Sequence, residues 1–268
     1  MTDVQQATDA ARRPPGAPIG RAVVTGASSG IGLELAKELR RHGYELVMAA
    51  EDEGIGAAAA TLGGEAVRVD LTDPAHVERL WDRATANGRS VDLVVLNAGF
   101  GNGGRFVETS LDDDLDLIRL NVSSVVHLSK LALREMVARG QGRLLFTSSV
   151  AATMPGPYYA TYAASKAFVQ SFAEAVRREV ADAGITVTAL QPGPTDTRFF
   201  VRSRLQGTKV DRGPKDVPAE VARDGVAALL AGKDHVVAGS LRNTLQTLLA
   251  RVLPQKVAAR LHGAQTQR

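Results

Sequence analysis

Apolar residues in this chain fall into short unbroken runs, and between the runs they recur every three or four positions. The first run is Arg21-Ala22-Val23-Val24-Thr25. It stops at Gly26-Ala27-Ser28-Ser29-Gly30-Ile31-Gly32, after which Leu33, Leu35, Ala36 and Leu39 recur at helical spacing up to His42-Gly43. A continuous run followed by a 3.6-residue period reads as strand, glycine-rich turn, helix. The same alternation then repeats. Residues 44–49 read as a strand, 55–62 as a helix, and 65–69 as a strand that stops at Asp70. Residues 74–86 read as a helix, with Asp73 as its N-cap and Pro74 in the first position. Residues 91–96 form a buried strand ended by Asn97-Ala98-Gly99. A glycine-rich loop (100–104) precedes a long helix over 111–139 and a strand over 143–149. A second long helix covers 158–183, and the strand 185–191 is stopped by Pro192-Gly193-Pro194. Residues 217–231 are helical, 235–238 make a seventh strand, and 241–261 are helical with a break at Pro254.

Strands that are apolar throughout, alternating with helices, imply βαβ units and a parallel sheet covered on both faces. The expected fold is α/β: a Rossmann-type, doubly wound, seven-stranded and mostly parallel sheet. Residues 1–18, with Arg12-Arg13-Pro14-Pro15-Gly16, read as a disordered tail. Residues 19–268 read as one catalytic, dinucleotide-binding domain with a helical segment over about 241–262. In such sheets ligands bind beyond the carboxyl ends of the strands. The glycine turn, Asp70, Asn97, Ser149 and Pro192-Gly193 all fall there.

Composition narrows the chemistry. The 268 residues are 44% hydrophobic, enough for a large core, and contain no cysteine, which removes thiol nucleophiles, disulfides and cysteine-metal sites. A formal charge of +3 with 4% aromatics gives nucleic-acid binding little support. Residues 1–18 lack the apolar core of a secretory signal, and no run of apolar residues is long enough to span a bilayer, so a cytoplasmic location is expected. His42, His76, His127, His235 and His262 show no metal spacing and are read as surface or capping residues. The acidic run Asp112-Asp113-Asp114-Asp116 suits a helix N-terminus.

Two constellations remain. Gly26, Gly30 and Gly32 form a Gly-x-x-x-Gly-x-Gly turn between the first strand and its helix, where backbone N–H groups and a helix N-terminus can receive a phosphate. With no lysine after the last glycine it is not a P-loop. Tyr162 and Lys166 stand four residues apart, on one face of a helix, and Ser149 lies thirteen residues upstream. A lysine beside a tyrosine favours the tyrosinate and so lowers its pKa. Alone, the pair is weak evidence, because solvated Tyr/Lys pairs are common on helices.

Taken together, these residues resemble the short-chain dehydrogenase/reductase family over about residues 20–240. The segment from Thr25 to Gly32 is similar to its cofactor turn. Asn97-Ala98-Gly99 is similar to its Asn-Asn-Ala-Gly segment, with Leu96 in place of the first Asn. Asn121, Ser149, Tyr162 and Lys166 fall where its catalytic tetrad falls, and Pro192-Gly193 resembles its segment beside the nicotinamide. The resemblance implies an NAD(P)-dependent oxidoreductase acting on a carbonyl or secondary alcohol. Tyr162 would be the proton donor and acceptor, Lys166 would hold the nicotinamide ribose, Ser149 would bond the substrate oxygen, and Asn121 would support a water relay to Lys166. It assigns Gly26, Ser28, Ser29, Gly30, Ile31, Gly32, Asp70, Leu71, Asn97, Ala98, Gly99, Pro192, Gly193, Thr195 and Thr197 to the cofactor, together with Tyr162 and Lys166. After the second strand the family carries an acid for NAD or a basic residue for NADP. Here Ala50 is followed by Glu51-Asp52, whose charge repels a 2′-phosphate, so Glu51 favours NAD(H) over NADP(H). The resemblance also implies a homodimer or homotetramer.

A non-catalytic redox sensor or scaffold is the alternative function, and dehydration or epimerisation a further one on the same scaffold. Substrate choice falls to the loops 101–106, 153–159 and 195–215. Pro155, Tyr158 and Tyr159 would line the mouth, Phe199-Phe200-Val201 and Leu205 would offer apolar cover, and Arg198, Arg202, Arg204, Lys209 and Arg212 either meet an anionic group or stand in solvent. In the C-terminal stretch Leu241, Leu245, Leu248, Leu249 and Val252 recur at helical spacing, among the basic Arg242, Arg251, Lys256 and Arg260. This reads as core packing or a subunit contact, or else as a lid or membrane-surface helix.

Overall fold

The computed structural model describes residues 18–240, 243, 244, 247 and 254–267. Residues 1–17 of the tail expected over 1–18 lie outside these residues, as do Leu241, Arg242, Leu245, Leu248, Leu249, Arg251 and Val252.

Seven strands, β1 (Gly20–Thr25), β2 (Tyr44–Ala50), β3 (Glu65–Arg68), β4 (Leu93–Leu96), β5 (Gly142–Thr147), β6 (Ile185–Pro192) and β7 (His235–Ala238), form one sheet in the order β3-β2-β1-β4-β5-β6-β7. Every pairing is parallel. The chain runs outward from β1 to β3, then returns to place β4 on the other side of β1. That reversal opens a crevice above the carboxyl ends of β1 and β4.

Side chains on a strand alternate between faces, and here both faces are buried. Ala22, Val24, Leu46, Met48, Leu93 and Val95 pack on one side against α1 (Gly30–Arg41), α2 (Gly54–Leu62) and α9 (Pro218–Leu230). Val23, Val47, Val94, Leu144 and Phe146 pack on the other against α3 (Pro74–Thr85), α5 (Ser124–Arg139) and α6 (Ala160–Val180). At the amino end of the sheet the buried Arg21 reaches Glu45 on β2 and Glu65 on β3, the latter at 2.7 Å, fixing three strands in register far from the crevice.

Two helices differ from the sequence expectation. The helix expected over 111–139 is α4 (Leu111–Ile118) and α5, joined without a break by a π turn at Arg119–Ser123. Asn121 and Ser124 supply the cause. Ser124 Oγ bonds the Leu120 carbonyl, and the Asn121 amide is drawn out of the helix toward Phe100 and Ser165. Such side-chain bonds compete with the helical ladder and widen it locally. The other long helix starts at Ala160 rather than 158, because Tyr158 takes a left-handed backbone (φ +66°). Three short segments follow the order of the chain: α7 (Phe199–Arg202) and α8 (Lys209–Arg212) precede α9, and α10 (Gln255–Thr266) begins directly after Pro254. Among the described residues no helix is long and apolar enough to cross a membrane.

Asp73 caps α3 as expected, its side chain accepting from the Ala75 amide at 2.9 Å with Pro74 in the first turn. Asp73→Ala should lower unfolding free energy by about 1 kcal/mol without changing its dependence on denaturant. A urea titration checks this; a change below a few tenths would mean the cap contributes nothing.

Candidate active site

The crevice is held by the Thr25 hydroxyl. It donates to the Val95 carbonyl (3.1 Å) and accepts from the amides of Asn97 (2.9 Å) and Ala98 (3.0 Å). Asn97 Nδ2 returns a bond to the Thr25 carbonyl (3.0 Å), and Thr147 on β5 donates to Asn97 Oδ1 (3.3 Å). The glycine turn is thereby pressed onto the 97–99 loop. A Cβ on Gly26 (φ +65°) would lie 3.0 Å from Ala98 Cα, and one on Gly32 would lie 2.1 Å from the Gly26 carbonyl oxygen. Only bare backbone fits there. At the start of α1, Ser29 makes no side-chain cap and the first turn carries no acid. Its amides open toward the crevice beside Ser28, Ser29, Gly30, Ile31 and Gly32, a cradle suited to a pyrophosphate.

One cavity of about 1110 Å³ extends from this cradle in both directions. Toward β2 and β3 it is bounded by Ala50, Glu51, Asp52, Asp70 and Leu71. Asp52 is occupied locally: Oδ2 accepts from Ser28 Oγ (2.6 Å) and Oδ1 from the Gly54 amide (3.0 Å). Glu51 stands exposed on the rim. Asp70 Oδ1 accepts from the Thr72 amide and hydroxyl, which shapes the turn around Leu71.

In the other direction lie Asn97, Ala98, Gly99, Ser149, Tyr162, Lys166, Pro192, Gly193, Thr195 and Thr197. Thr197 reaches across the glycine turn, its Cγ2 standing 3.2 Å from where a Gly30 Cβ would be. Ser149, Tyr162 and Lys166 are all buried. Lys166 Nζ donates to the Thr147 carbonyl (2.7 Å) and stands 6.0 Å from the centre of the Tyr162 ring. Asn121 is the exception among the expected residues. It is 0% exposed and does not line the cavity. Its Oδ1 accepts from the Phe100 amide (3.1 Å), and its Nδ2 donates to the Phe100 carbonyl (2.9 Å) and Ser165 Oγ (3.0 Å). Asn121 holds the loop behind the site; at Gly99 a Cβ would lie 2.9 Å from its Oδ1 and 3.4 Å from Lys166 Nζ.

The profile of the short chain dehydrogenase family matches residues 21–207. The chain belongs to the short-chain dehydrogenase/reductase family. It is 37% identical over 179 residues, 66% of its length and 73% of the relative's, to the 3-oxoacyl-[acyl-carrier-protein] reductase FabG of Escherichia coli (strain K12). A short-chain dehydrogenase from Sphingobium yanoikuyae, solved with NADPH, superposes with a TM-score of 0.75 at 29% identity, covering 81% of this chain and 87% of that one. The 3-ketoacyl-(acyl-carrier-protein) reductase from Brucella melitensis, solved with NADH, gives 0.75 at 26% identity, covering 83% and 98%. As a member of this family the chain is an NAD(P)-dependent oxidoreductase of carbonyl and alcohol groups.

Two of the expectations set out above need correction. The Tyr162 pKa is raised here rather than lowered. Burial raises it to about 12, only partly offset by a hydrogen bond with Ser149, and burial lowers Lys166 to about 8. Desolvation penalises both charged forms and is the largest influence on each. The expected mouth is also different. Of Pro155, Tyr158 and Tyr159, only Tyr159 lines the cavity, while His262, read as a surface or capping residue, is buried in its wall. The sequence signal for it was slight: Ala258, His262, Gly263 and Thr266 form one buried face of a short helix. Of the basic residues in the 195–215 loop, Arg198, Arg202, Lys209 and Lys215 line the cavity, while Arg204 pairs with Asp113 (2.9 Å).

Burying Lys166 as a cation costs on the order of 3 kcal/mol at neutral pH, from its fall to about 8. The unfolded chain binds more protons than the folded one between about pH 8 and 10.5, so stability rises with pH across that window. Lys166→Met should therefore stabilise the protein at pH 7 by roughly 1–3 kcal/mol, less the lost Thr147 bond, and the gain should fade toward pH 10.5. Melting curves at pH 7, 9 and 10.5 read this directly; a variant less stable at pH 7 than at pH 10.5, relative to wild type, would contradict it.

Proposed function

We propose that the enzyme transfers a hydride between NAD(H) and a carbonyl or secondary alcohol, with Tyr162 as the proton donor in reduction and the acceptor in oxidation. The observation that carries this reading is the meeting of the Ser149 and Tyr162 hydroxyls in the buried end of the cavity, with the Lys166 ammonium group behind them. When bound, the nicotinamide supplies or takes the hydride. A carbonyl oxygen lodged between Ser149 and Tyr162 accepts a hydrogen bond from each, which stabilises negative charge as it develops. Tyr162, held protonated at neutral pH by a pKa near 12, then gives its proton to that oxygen. Lys166 offers two remaining N–H donors to a ribose hydroxyl, having spent one on Thr147. A cation drawn closer to Tyr162 in the loaded site would stabilise the tyrosinate left behind. Asn121 acts at one remove, by fixing Phe100 and Ser165.

The glycine cradle would hold the pyrophosphate of the dinucleotide, and Asp70 and Leu71 would border its adenosine. The carboxylates of Glu51, Asp52 and Asp70 on that side support NAD(H) over NADP(H), since each can accept from a ribose hydroxyl and each repels a 2′-phosphate. The exposed apolar residues Leu111, Leu115 and Ile118 on α4 and Phe168 on α6 support assembly as a homodimer or homotetramer. The absence of cysteine suits a cytoplasmic location.

Tyr162→Phe should lower kcat at least about 10³-fold while changing the NADH dissociation constant less than about twofold. Steady-state turnover and a cofactor-fluorescence titration test it, and retained turnover would place the proton donor elsewhere. Wild-type enzyme should show kcat/KM about tenfold higher with NADH than with NADPH, and Glu51→Arg should narrow or reverse that ratio by supplying a charge-assisted bond to the 2′-phosphate. A native preference for NADPH would overturn the charge argument.

A further inference from the structure

The helix α10 lies beyond the residues matched by the family profile, yet it delivers a side chain to the reacting end of the cavity. His262 is 6% exposed and neutral in its setting, since burial lowers its pKa. Its two ring nitrogens do different work. Nδ1 lies 2.9 Å from the Pro155 carbonyl, which can only accept, so Nδ1 carries the proton. Nε2 therefore presents a lone pair, and the Tyr159 hydroxyl donates to it. Tyr159 is buried and stacks on Tyr162 with ring centres 5.7 Å apart and planes 23° apart. Phe199 stands 5.1 Å from Tyr162.

The Tyr159 bond is not the helix's sole tether. Thr266 Oγ1 donates to the Pro157 carbonyl at 2.8 Å, and Gly263 brings the backbone close to Pro157. The Nε2 bond does something else: it fixes the tilt of the ring lying against the proton donor. The geometry points to His262 as a positioning and specificity-determining residue. By accepting the Tyr159 hydroxyl it sets an aromatic wall, completed by Phe199 and Phe200, against which a ketone with a flat apolar substituent presents its carbonyl to Tyr162. Flat rings suit such a slot because stacking rewards them beyond the area they bury. This inference rests on the assignment of Tyr162 as proton donor.

Two isosteres separate the nitrogens. Asparagine at 262 can keep a donor near the Nδ1 position, and glutamine can keep an acceptor near the Nε2 position. The full chain is assayed with NADH on 2-acetylnaphthalene and on 2-butanone. Wild-type enzyme should favour the aryl ketone in kcat/KM. His262→Asn and Tyr159→Phe should each weaken that preference about tenfold, the worth of one buried hydrogen bond, through KM of the aryl ketone rather than kcat. Combining them should add nothing further, and His262→Gln should restore the preference to within about threefold of wild type. NADH dissociation constants and circular dichroism spectra close to wild type verify that each variant is folded.

Full preference in His262→Asn together with loss in His262→Gln would mean that the residue only anchors the helix, and would overturn the proposal. So would a wild-type enzyme that favours 2-butanone. Tyr162→Phe is measured in parallel. Turnover in that variant refutes the proton-donor assignment, whereas loss there with an unchanged His262→Asn profile refutes this inference alone.

Discussion

The hydroxyl of Thr25 ties the carboxyl ends of β1 and β4 together, and the site depends on that tie. One oxygen, buried at the switch point, satisfies two amides of the 97–99 loop and one carbonyl of β4. A valine of similar volume there would leave those groups without partners in a place water cannot reach, which costs more than the bonds themselves contribute. The tie also brings the glycine turn within van der Waals distance of Ala98, so the absence of side chains at Gly26 and Gly32 follows from how closely the two loops approach. Pyrophosphate cradle and catalytic wall are therefore positioned by the same contact.

The cavity is divided electrically. Carboxylates border the β2–β3 end, and Arg198, Arg202 and Lys209 border the α7–α8 side. Between them the reacting groups are buried, and burial, more than any neighbouring charge, sets their protonation states. Tyr162 stays a phenol and Lys166 holds its proton less firmly than in water. A site of this kind gains from a cationic ligand surface only once other groups complete it, because an isolated ammonium in low dielectric is itself unfavourable.

Much of this was legible in the chain. Strand positions follow from continuous apolar runs, and the all-parallel sheet follows from their alternation with helices, because a buried parallel sheet leaves no polar face to blur the period. The glycine turn, Ser149, Tyr162 and Lys166 could be placed because they are local in sequence or fall at strand ends. What escaped is non-local. The pairing of His262 with Tyr159 spans 103 residues and joins a helix to a loop, with no periodicity to announce it. The raised pKa of Tyr162 could not be read from a four-residue spacing, since spacing gives proximity and says nothing of desolvation. The π turn at Asn121 was hidden because its cause, a bond to the Phe100 backbone, lies in another segment.

That π turn separates two inheritances within one continuous helix. Residues up to Ile118 and residues from Val125 onward pack by ordinary helical geometry, the latter against the sheet through Val125, Leu128, Ala132 and Met136. The extra residue is absorbed between them. The loop over 100–104 can then be retuned by changes at 119–123 while the core face of α5 keeps its register. In such a molecule the dimensions of the cavity and the packing of the core can evolve at different rates, although one unbroken run of backbone carries both.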